Sequence, residues 1–148
     1  MSDVTQDLIQ ERVQQGFDQQ GFMHTLGAKL THVAEGECSI RLPYREGLTQ
    51  QHGLFHGGVT ATLADNAAGF AAYTTMTGEQ QPLTVEFKVS FIAPGLGNEL
   101  EARAKVLRAG YRVKHVQVEV FALDAEGEHL IAAALATVAA SKAVVSWG

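Results

Sequence analysis

Cysteine is almost absent from this 148-residue chain, which contains only Cys38. A single cysteine excludes an internal disulfide, and the opening residues MSDVTQDLIQERV lack the charged and apolar segments of a secretory signal. Cys38 alternates with apolar residues and has no neighbour that would activate its thiol, so it is predicted to be a buried residue rather than a nucleophile. These features favour a reducing, cytoplasmic location.

An excess of basic residues is also lacking. The chain carries 11 Lys and Arg against 16 Asp and Glu, which gives a net charge of -5. Nucleic acids and anionic membranes both require a broad basic surface, so neither is expected as a partner. Because only 18% of the residues are charged, part of the surface is predicted to be covered by copies of the chain in a homodimer or homotetramer.

No long apolar run is free of polar residues. The most apolar stretch, 57–76, is about as long as a bilayer-spanning helix, but it contains Asp65 and Asn66. It is therefore predicted to be a core helix. Gly78 and Pro82 mark its end, because glycine suits a helix C-terminus and proline cannot continue the helix.

The other segments divide into one helix and a series of strands. Residues 4–17 have the spacing of an amphipathic helix. Strand-like runs occupy 28–42, with a turn at Glu35-Gly36, and then 83–93, 100–107, 113–123 and 130–140. The alternation in 83–93 predicts two faces, one with Val85, Phe87, Val89 and Phe91, the other with Thr84, Glu86, Lys88 and Ser90.

A helix that is apolar nearly all round must be surrounded, and only the strands can surround it. We therefore predict an α+β hotdog fold, in which a curved antiparallel sheet wraps a long central helix. The whole chain, 1–148, is expected to form one domain with an N-terminal helical segment at 1–26. Sheets of two copies are expected to join edge to edge, which would protect the exposed edge strands.

Asp65 is the only charged side chain between His56 and Glu79. An unpaired charge inside an apolar helix is costly, so this carboxylate is expected either to have a structural partner or to serve function. Composition alone favours neither role. Phe70 and Tyr73 follow at helical spacing, and they could line an acyl pocket or simply pack in the core.

The string His56-Gly57-Gly58 precedes the same helix. Unpaired backbone N–H groups and the partial positive charge of a helix N-terminus could polarise a carbonyl oxygen there. The alternative is a tight turn that merely needs glycine. A metal pair of His52 and His56 is disfavoured, because their spacing requires a helix and the glycines around them argue against one.

The stretch QQHGLFHGGVTATLADNAAGFAAYT resembles a segment of the hotdog-fold acyl-CoA thioesterases of the PaaI and 4-hydroxybenzoyl-CoA type. The later string LTVEFKVSFIAPG is similar to the strand that follows in that family. The likeness covers roughly 50–140. It combines HGG, then LAD at a set spacing, then an alternating strand that ends in Pro-Gly.

The resemblance implies roles for individual residues. Asp65 matches the nucleophile or general base, and the Gly57 N–H matches the group that polarises the thioester carbonyl. Gln50 falls where relatives contact the thioester or water, and Thr84 falls where some relatives position the water. His56 is expected to be mainly structural. In such enzymes the glycine and the acid of one site come from different subunits.

Substrate-binding residues are assigned on the same basis. Gly58 and Asn66 accompany Gly57 and Asp65 in the matching segment. Coenzyme A carries several phosphates, so an acidic protein must gather cations where it docks. Arg108, Arg112 and Lys114 in the string RAGYRVK are candidates, with Lys88 as a further one; the alternative is an ordinary solvated hairpin.

The sequence therefore predicts hydrolysis of an aromatic or medium-chain acyl-CoA to free acid and coenzyme A. The resemblance implies no cofactor, because coenzyme A belongs to the substrate. Two alternatives stay open. One is a non-catalytic acyl-CoA binding protein, which would not need Asp65. The other is a hotdog hydratase or dehydratase, whose characteristic HFP string is missing.

Overall fold

The computed structural model describes residues 2–142, so Met1 and residues 143–148 of the predicted domain lie outside it. The three α-helices are α1 (Asp3–Asp18), α2 (Gly21–Leu26) and α3 (Gly57–Tyr73), and a short 3-10 helix spans Glu46–Leu48. The strands are β1 (Lys29–Ala34), β2 (Glu37–Pro43), β3 (Gln81–Phe91), β4 (Glu99–Ala109), β5 (Val113–Asp124) and β6 (Gly127–Ser141).

The strands form one antiparallel sheet in the order β1-β2-β4-β5-β6-β3. Helix α3 packs against β2, β3, β4, β5 and β6. Since β2 and β3 are four strand spacings apart, about 19 Å, and a helix is only about 10–12 Å wide, the sheet must curve around α3. The predicted hotdog architecture is confirmed.

Alternation along the strands builds the core. In β5 the side chains of Val116, Val118 and Val120 are buried toward α3, while Gln117 and Glu119 point outward and are exposed. The predicted run 28–42 is a hairpin of β1 and β2, with the turn at the expected Glu35-Gly36. Gly36 has a φ of 78°, a conformation that favours glycine.

Helix α3 ends three residues earlier than predicted, at Tyr73 rather than Met76. The hydroxyls of Thr74 and Thr75 donate to the carbonyls of Ala71 and Ala72 at 2.6 and 2.7 Å. Such side-chain bonds compete with the helical backbone pattern.

None of the helices within residues 2–142 has the length and hydropathy that a membrane-spanning segment requires.

The N-terminal segment folds back on the end of α3. Arg12 donates to the carbonyls of Met76 and Gln80 at 2.7 and 3.0 Å, and its guanidinium lies 3.9 Å from the centre of the Tyr73 ring. Gly16 permits close approach, because a Cβ there would lie 3.2 Å from Phe70 Cε1. The short helix α2, which the periodicity did not reveal, is followed by Gly27, whose φ is 83°.

The predicted faces of β3 are wrong at two positions, Thr84 and Val85. Val85 was expected to share a face with Phe87 and Val89, yet it is 59% exposed. A bulge between Thr84 and Glu86 inserts an extra residue, which reverses the alternation. Thr84 consequently faces α3, on the same side of the sheet as Phe87 and Val89.

Cys38 is fully buried in the core, as predicted, and burial raises the pKa of its thiol to about 12. A free thiol has a pKa of about 8.5. We expect thiol reagents to label Cys38 only when the chain unfolds. Since the folded pKa is raised, its contribution to stability should be complete below about pH 8.5 and be lost as the pH rises toward 12.

Urea unfolding across this pH range, with and without Cys38→Ala, measures the effect. The free energy of unfolding of the native chain should fall with pH more steeply than that of the variant. Rapid labelling of the folded protein at neutral pH would contradict the buried placement.

Candidate active site

Asp65 and Thr84 meet between the central helix and the edge strand. Asp65 lies halfway along α3, and the bulge in β3 turns Thr84 toward it. Thr84 Oγ1 donates to Asp65 Oδ1 at 2.8 Å. The two side chains open into a cleft of about 160 Å³, lined by Gln20, Asp65, Asn66, Gly69, Phe70, Pro82 and Thr84.

The sequence context of Asp65 suggested a carboxylate sealed in the apolar interior, but the structure does not place it there. The residue is half-buried in the single chain, because its helix face lies at the rim of the sheet rather than over its centre. Its hydrogen-bond partner is a neutral hydroxyl, and no cation pairs with it among residues 2–142. A carboxylate held in this way keeps one oxygen, Oδ2, available to a ligand in the cleft.

The N-terminus of α3 presents a different set of groups. His56 caps the helix, since its Nδ1 accepts a hydrogen bond from the Gly58 N–H at 2.8 Å. Its carbonyl accepts from the N–H groups of Val59 and Thr60. In the described part of the chain, the Gly57 N–H donates a hydrogen bond to no acceptor. The Gly57 N–H is therefore the uncommitted donor at this helix end.

Gly57 and Asp65 do not share a cleft within one chain. They are eight residues apart on the same helix, which separates them by about 12 Å along its axis. Thr84 and Asn66 lie beside Asp65 at the middle of α3, whereas His56 and Gly58 lie beside Gly57 at its N-terminus. The predicted site residues thus form two groups at two places on α3.

Gln50 belongs to the loop before α3. Its side-chain Oε1 accepts hydrogen bonds from the N–H groups of His52 and Leu54, and Gly53 turns the chain with a φ of 77°. The oxygen of Gln50 therefore holds the loop together, whereas its amide nitrogen forms no hydrogen bond within residues 2–142. Gln50 is not among the residues that line the Asp65 cleft.

The four predicted coenzyme A cations do not form one cluster. Arg108 and Arg112 are exposed near the β4–β5 hairpin, whereas Lys88 lies three strands away from Arg108, about 14 Å across the sheet. Lys114 is only 3% exposed, and its ammonium donates to the carbonyls of Gly110 and Tyr111. Burial also lowers the pKa of Lys114. Its ammonium serves the hairpin, so the expectation that it contacts phosphate is not met in this chain.

Sequence reasoning missed three residues of the cleft. Gly69 lies one helical turn after Asp65, and this spacing could have identified it as a neighbour of the carboxylate. Pro82 and Gln20 arrive from β3 and from the α1–α2 turn. Their positions depend on how distant elements pack, so no local pattern could have revealed them.

Comparison with known proteins bears on this geometry. Residues 52–129, which include Gly57, Asp65 and Thr84, match the family model of the thioesterase superfamily. The chain belongs to the thioesterase superfamily. The predicted enzyme class, a thioester hydrolase of the hotdog fold, is thereby confirmed.

Individual members of the superfamily align over most of the chain. A crystal structure of a thioesterase family protein from Silicibacter pomeroyi is 36% identical, covers 89% of this chain and 97% of its own, and superposes with a TM-score of 0.87. Acyl-coenzyme A thioesterase 13 of Pongo abelii is 29% identical over 87% of this chain and 96% of its own length. The 1,4-dihydroxy-2-naphthoyl-CoA hydrolase of Listeria monocytogenes is 26% identical over 82% of this chain and 97% of its own.

Gly69 offers a test of whether the cleft of this thioesterase holds the acyl group. Apart from the two chain neighbours and the backbone of its own helix, no atom lies within 4 Å of a Cβ built on Gly69, so the methyl group of Gly69→Ala would project into open space in the cleft. We expect the variant to be more stable by about 0.5–1 kcal/mol, because alanine favours the helix. Its kcat/KM should nevertheless fall, and fall further as the acyl group becomes larger.

Urea unfolding and thioesterase assays over a series of acyl lengths measure the two effects. A stabilised variant with unchanged kcat/KM for every ester would show that the acyl group binds elsewhere.

Proposed function

We propose that this thioesterase hydrolyses an aromatic or medium-chain acyl-CoA to the free acid and coenzyme A, with Asp65 as nucleophile or general base. The Asp65–Thr84 hydrogen bond at the mouth of the cleft is the observation that carries the proposal. The named relatives that act on acyl-CoA esters support the substrate class.

The Thr84 hydroxyl fixes the orientation of the carboxylate. It occupies Oδ1 of Asp65, so Oδ2 is the oxygen that meets the reacting group. As a base, Asp65 takes a proton from water while the water oxygen attacks the thioester carbon and the C–S bond breaks. As a nucleophile, it forms an anhydride with release of the coenzyme A thiolate, and water then cleaves the anhydride.

Gly57 supplies the oxyanion-stabilising N–H in this proposal. The N-terminus of a helix carries partial positive charge. His56 Nδ1 accepts the hydrogen bond of the Gly58 N–H, whereas the Gly57 N–H remains free to donate. Since Gly57 is about 12 Å from Asp65 of its own chain, the donor must come from a second subunit. The active unit is therefore at least a homodimer.

The other ligand contacts follow from the same arrangement. His56 adjoins Gly57 in the chain, and Gln50 holds the loop that leads to it, so we assign both residues to the second subunit's side of the thioester. Asn66 shares the cleft with Asp65. The exposed guanidinium groups of Arg108 and Arg112 and the exposed ammonium of Lys88 are the cations we assign to the phosphates of coenzyme A.

The sequence left open a non-catalytic acyl-CoA binding protein, which the match to the thioesterase superfamily argues against. It would bind the ester without releasing a thiol, and the Asp65–Thr84 pair would have no role in it. Release of coenzyme A is easily measured with a thiol reagent, because the protein's own Cys38 is buried and should not react.

Asp65→Asn tests the role of the carboxylate. We expect the variant to fold, because an amide oxygen can still accept the Thr84 hydrogen bond. Its kcat should fall by about 10²–10⁴-fold, the usual contribution of a positioned base. Asp7→Asn, a change on the exposed face of α1, is the matched control. Near-normal turnover by a folded Asp65→Asn protein would remove Asp65 from the mechanism.

Gly57→Pro tests the N–H donor by removing it. Proline suits the first residue of a helix, and His56 already has the extended conformation that precedes proline. Gly57→Ala is the matched control, since both changes bring a Cβ to about 3.3 Å from the Phe91 ring but only proline lacks the N–H. We expect kcat of the proline variant to be about 10²–10³-fold below that of the alanine variant.

Mixing the Gly57→Pro and Asp65→Asn proteins checks that the two groups come from different subunits. After refolding together, half of randomly paired dimers are mixed, and each carries one intact site, so activity should return to about a quarter of the native value. A mixture no more active than its components would contradict the shared site, as would equal kcat of the proline and alanine variants.

A further inference from the structure

The ring of Phe91 packs directly on the backbone of Gly57. A Cβ built on Gly57 would lie 3.3 Å from Cε1 and 3.4 Å from Cζ of Phe91. The ring therefore occupies the place that a side chain at position 57 would take. The backbone of Gly57 does not itself require glycine, because its φ is not positive. The contact with Phe91 is thus the local feature that a larger residue at position 57 would disturb.

The Phe91 ring also lies beside the Gly57 N–H, the uncommitted donor at the start of α3. In a helix, both the Cα–Cβ bond and the first unpaired N–H groups point toward the N-terminus. A ring in contact with the Cβ position lies within about 6 Å of the amide nitrogen, since Cβ and that nitrogen are bonded to the same Cα. The ring therefore forms an apolar wall next to this donor.

Backbone hydrogen bonds on two sides hold this wall in place. Phe91 is the last residue of β3, and the N–H of the following Ile92 donates to the Ile131 carbonyl of β6 at 2.8 Å. The Gly95 carbonyl accepts at 3.0 Å from the N–H of Phe55, two residues before α3 begins. One backbone framework therefore sets the distance between the ring and the start of α3.

Phe91 is exposed although it belongs to the inner face of the sheet. Alternation places it on the same side as Phe87 and Val89, which both pack against the core. Its ring meets α3 only at the first residue of the helix, so no helix face covers it, and 57% of the residue is exposed. Phe91 thus leaves a large apolar surface open beside a free hydrogen-bond donor.

An apolar wall beside a donor strengthens the hydrogen bond that the donor forms. Water competes less for the N–H, and a lower local dielectric increases its attraction to a negatively charged oxygen. The gain is largest when charge develops on the acceptor, so it accelerates the reaction more than it tightens binding of the ground state. In the proposed function, that acceptor is the thioester oxygen at the Gly57 N–H.

We propose that Phe91 is a positioning residue of the shared active site, whose ring shields the hydrogen bond between the Gly57 N–H and the thioester oxygen from water. Phe91 acts through Gly57 of its own chain. The inference rests on the proposed function for the identity of the oxygen. It gives a role to a residue that the sequence assigned only to an apolar face of β3.

Phe91→Ala removes the wall and keeps the donor. We expect kcat to fall by about tenfold, less than for loss of the donor itself, with little change in KM. Phe91→Leu restores an apolar side chain and should recover most of this kcat. Ile92→Ala is the matched control, because Ile92 is 55% exposed on the same segment, whereas the three atoms nearest to a Cβ at position 57 all belong to Phe91. It should leave kcat unchanged.

A double-mutant cycle separates shielding from a mere contact between subunits. Gly57→Pro lacks the donor, so adding Phe91→Ala to it should lower kcat by about twofold at most. Sedimentation of each variant checks that the subunits stay associated. An equal loss of kcat in both backgrounds, or a loss that follows dissociation of the subunits, would show that the ring only supports the interface and would overturn the proposal.

Amide exchange tests the shielding without turnover. In protein labelled with nitrogen-15 glycine, saturation-transfer NMR follows exchange of the Gly57 N–H with water, and Gly57→Ala identifies its signal. Phe91→Ala should accelerate this exchange by about threefold to tenfold, whereas Ile92→Ala should not. Faster exchange in Phe91→Ala alone supports the shielding even if the native protein hydrolyses nothing. Hydrolysis that Gly57→Pro impairs, with kcat and exchange both unchanged in Phe91→Ala, would reject the role of Phe91 and leave the thioesterase function intact.

Discussion

The hydrogen bond between Thr84 and Asp65 depends on a single extra residue in an edge strand. Without the bulge, strict alternation would turn Val85 toward α3 and Thr84 toward solvent. Asp65 would then face an alkyl side chain, and its charge would have no neutral donor beside it. The bulge thus converts an otherwise regular strand into one that presents a hydroxyl to a carboxylate at the rim of the sheet.

This dependence explains which parts of the molecule the sequence could predict. The helix α3, the strands and the buried face of β5 follow from local periodicity, and the bounds of these elements lie close to the predicted ones. The role of Thr84 came from the family resemblance, whereas its alternation placed it on the wrong face relative to Phe87. A bulge changes the register by one residue and leaves no composition signal, so the contact with Asp65 could not be derived from the pattern.

Long-range packing limited the prediction in a second way. Gln20 reaches the cleft because α1 lies against α3, with Arg12 bound to the carbonyls after α3 and Gly16 leaving room for Phe70. None of these contacts joins neighbours in sequence. Lys114 shows the reverse case, since its sequence context suggested a solvated cation and its place in the inward-facing row of β5 buries it. Charge alone does not tell which face a strand residue occupies.

The division of the site along the chain has a functional consequence. Gly57, Asp65 and Thr84 all lie within 52–129, the part that matches the superfamily, whereas Gln20 lies outside it. In the proposed function the chemical step belongs to the helix and the sheet, whereas the wall of the cleft at Gln20 comes from a segment that packs over one end of them. Changes in α1 and α2 can alter the shape and polarity of the cleft without moving the Asp65–Thr84 pair, because that pair is fixed by α3 and the bulge in β3. Under the proposed function, such a separation would let one hydrolytic centre serve different acyl groups.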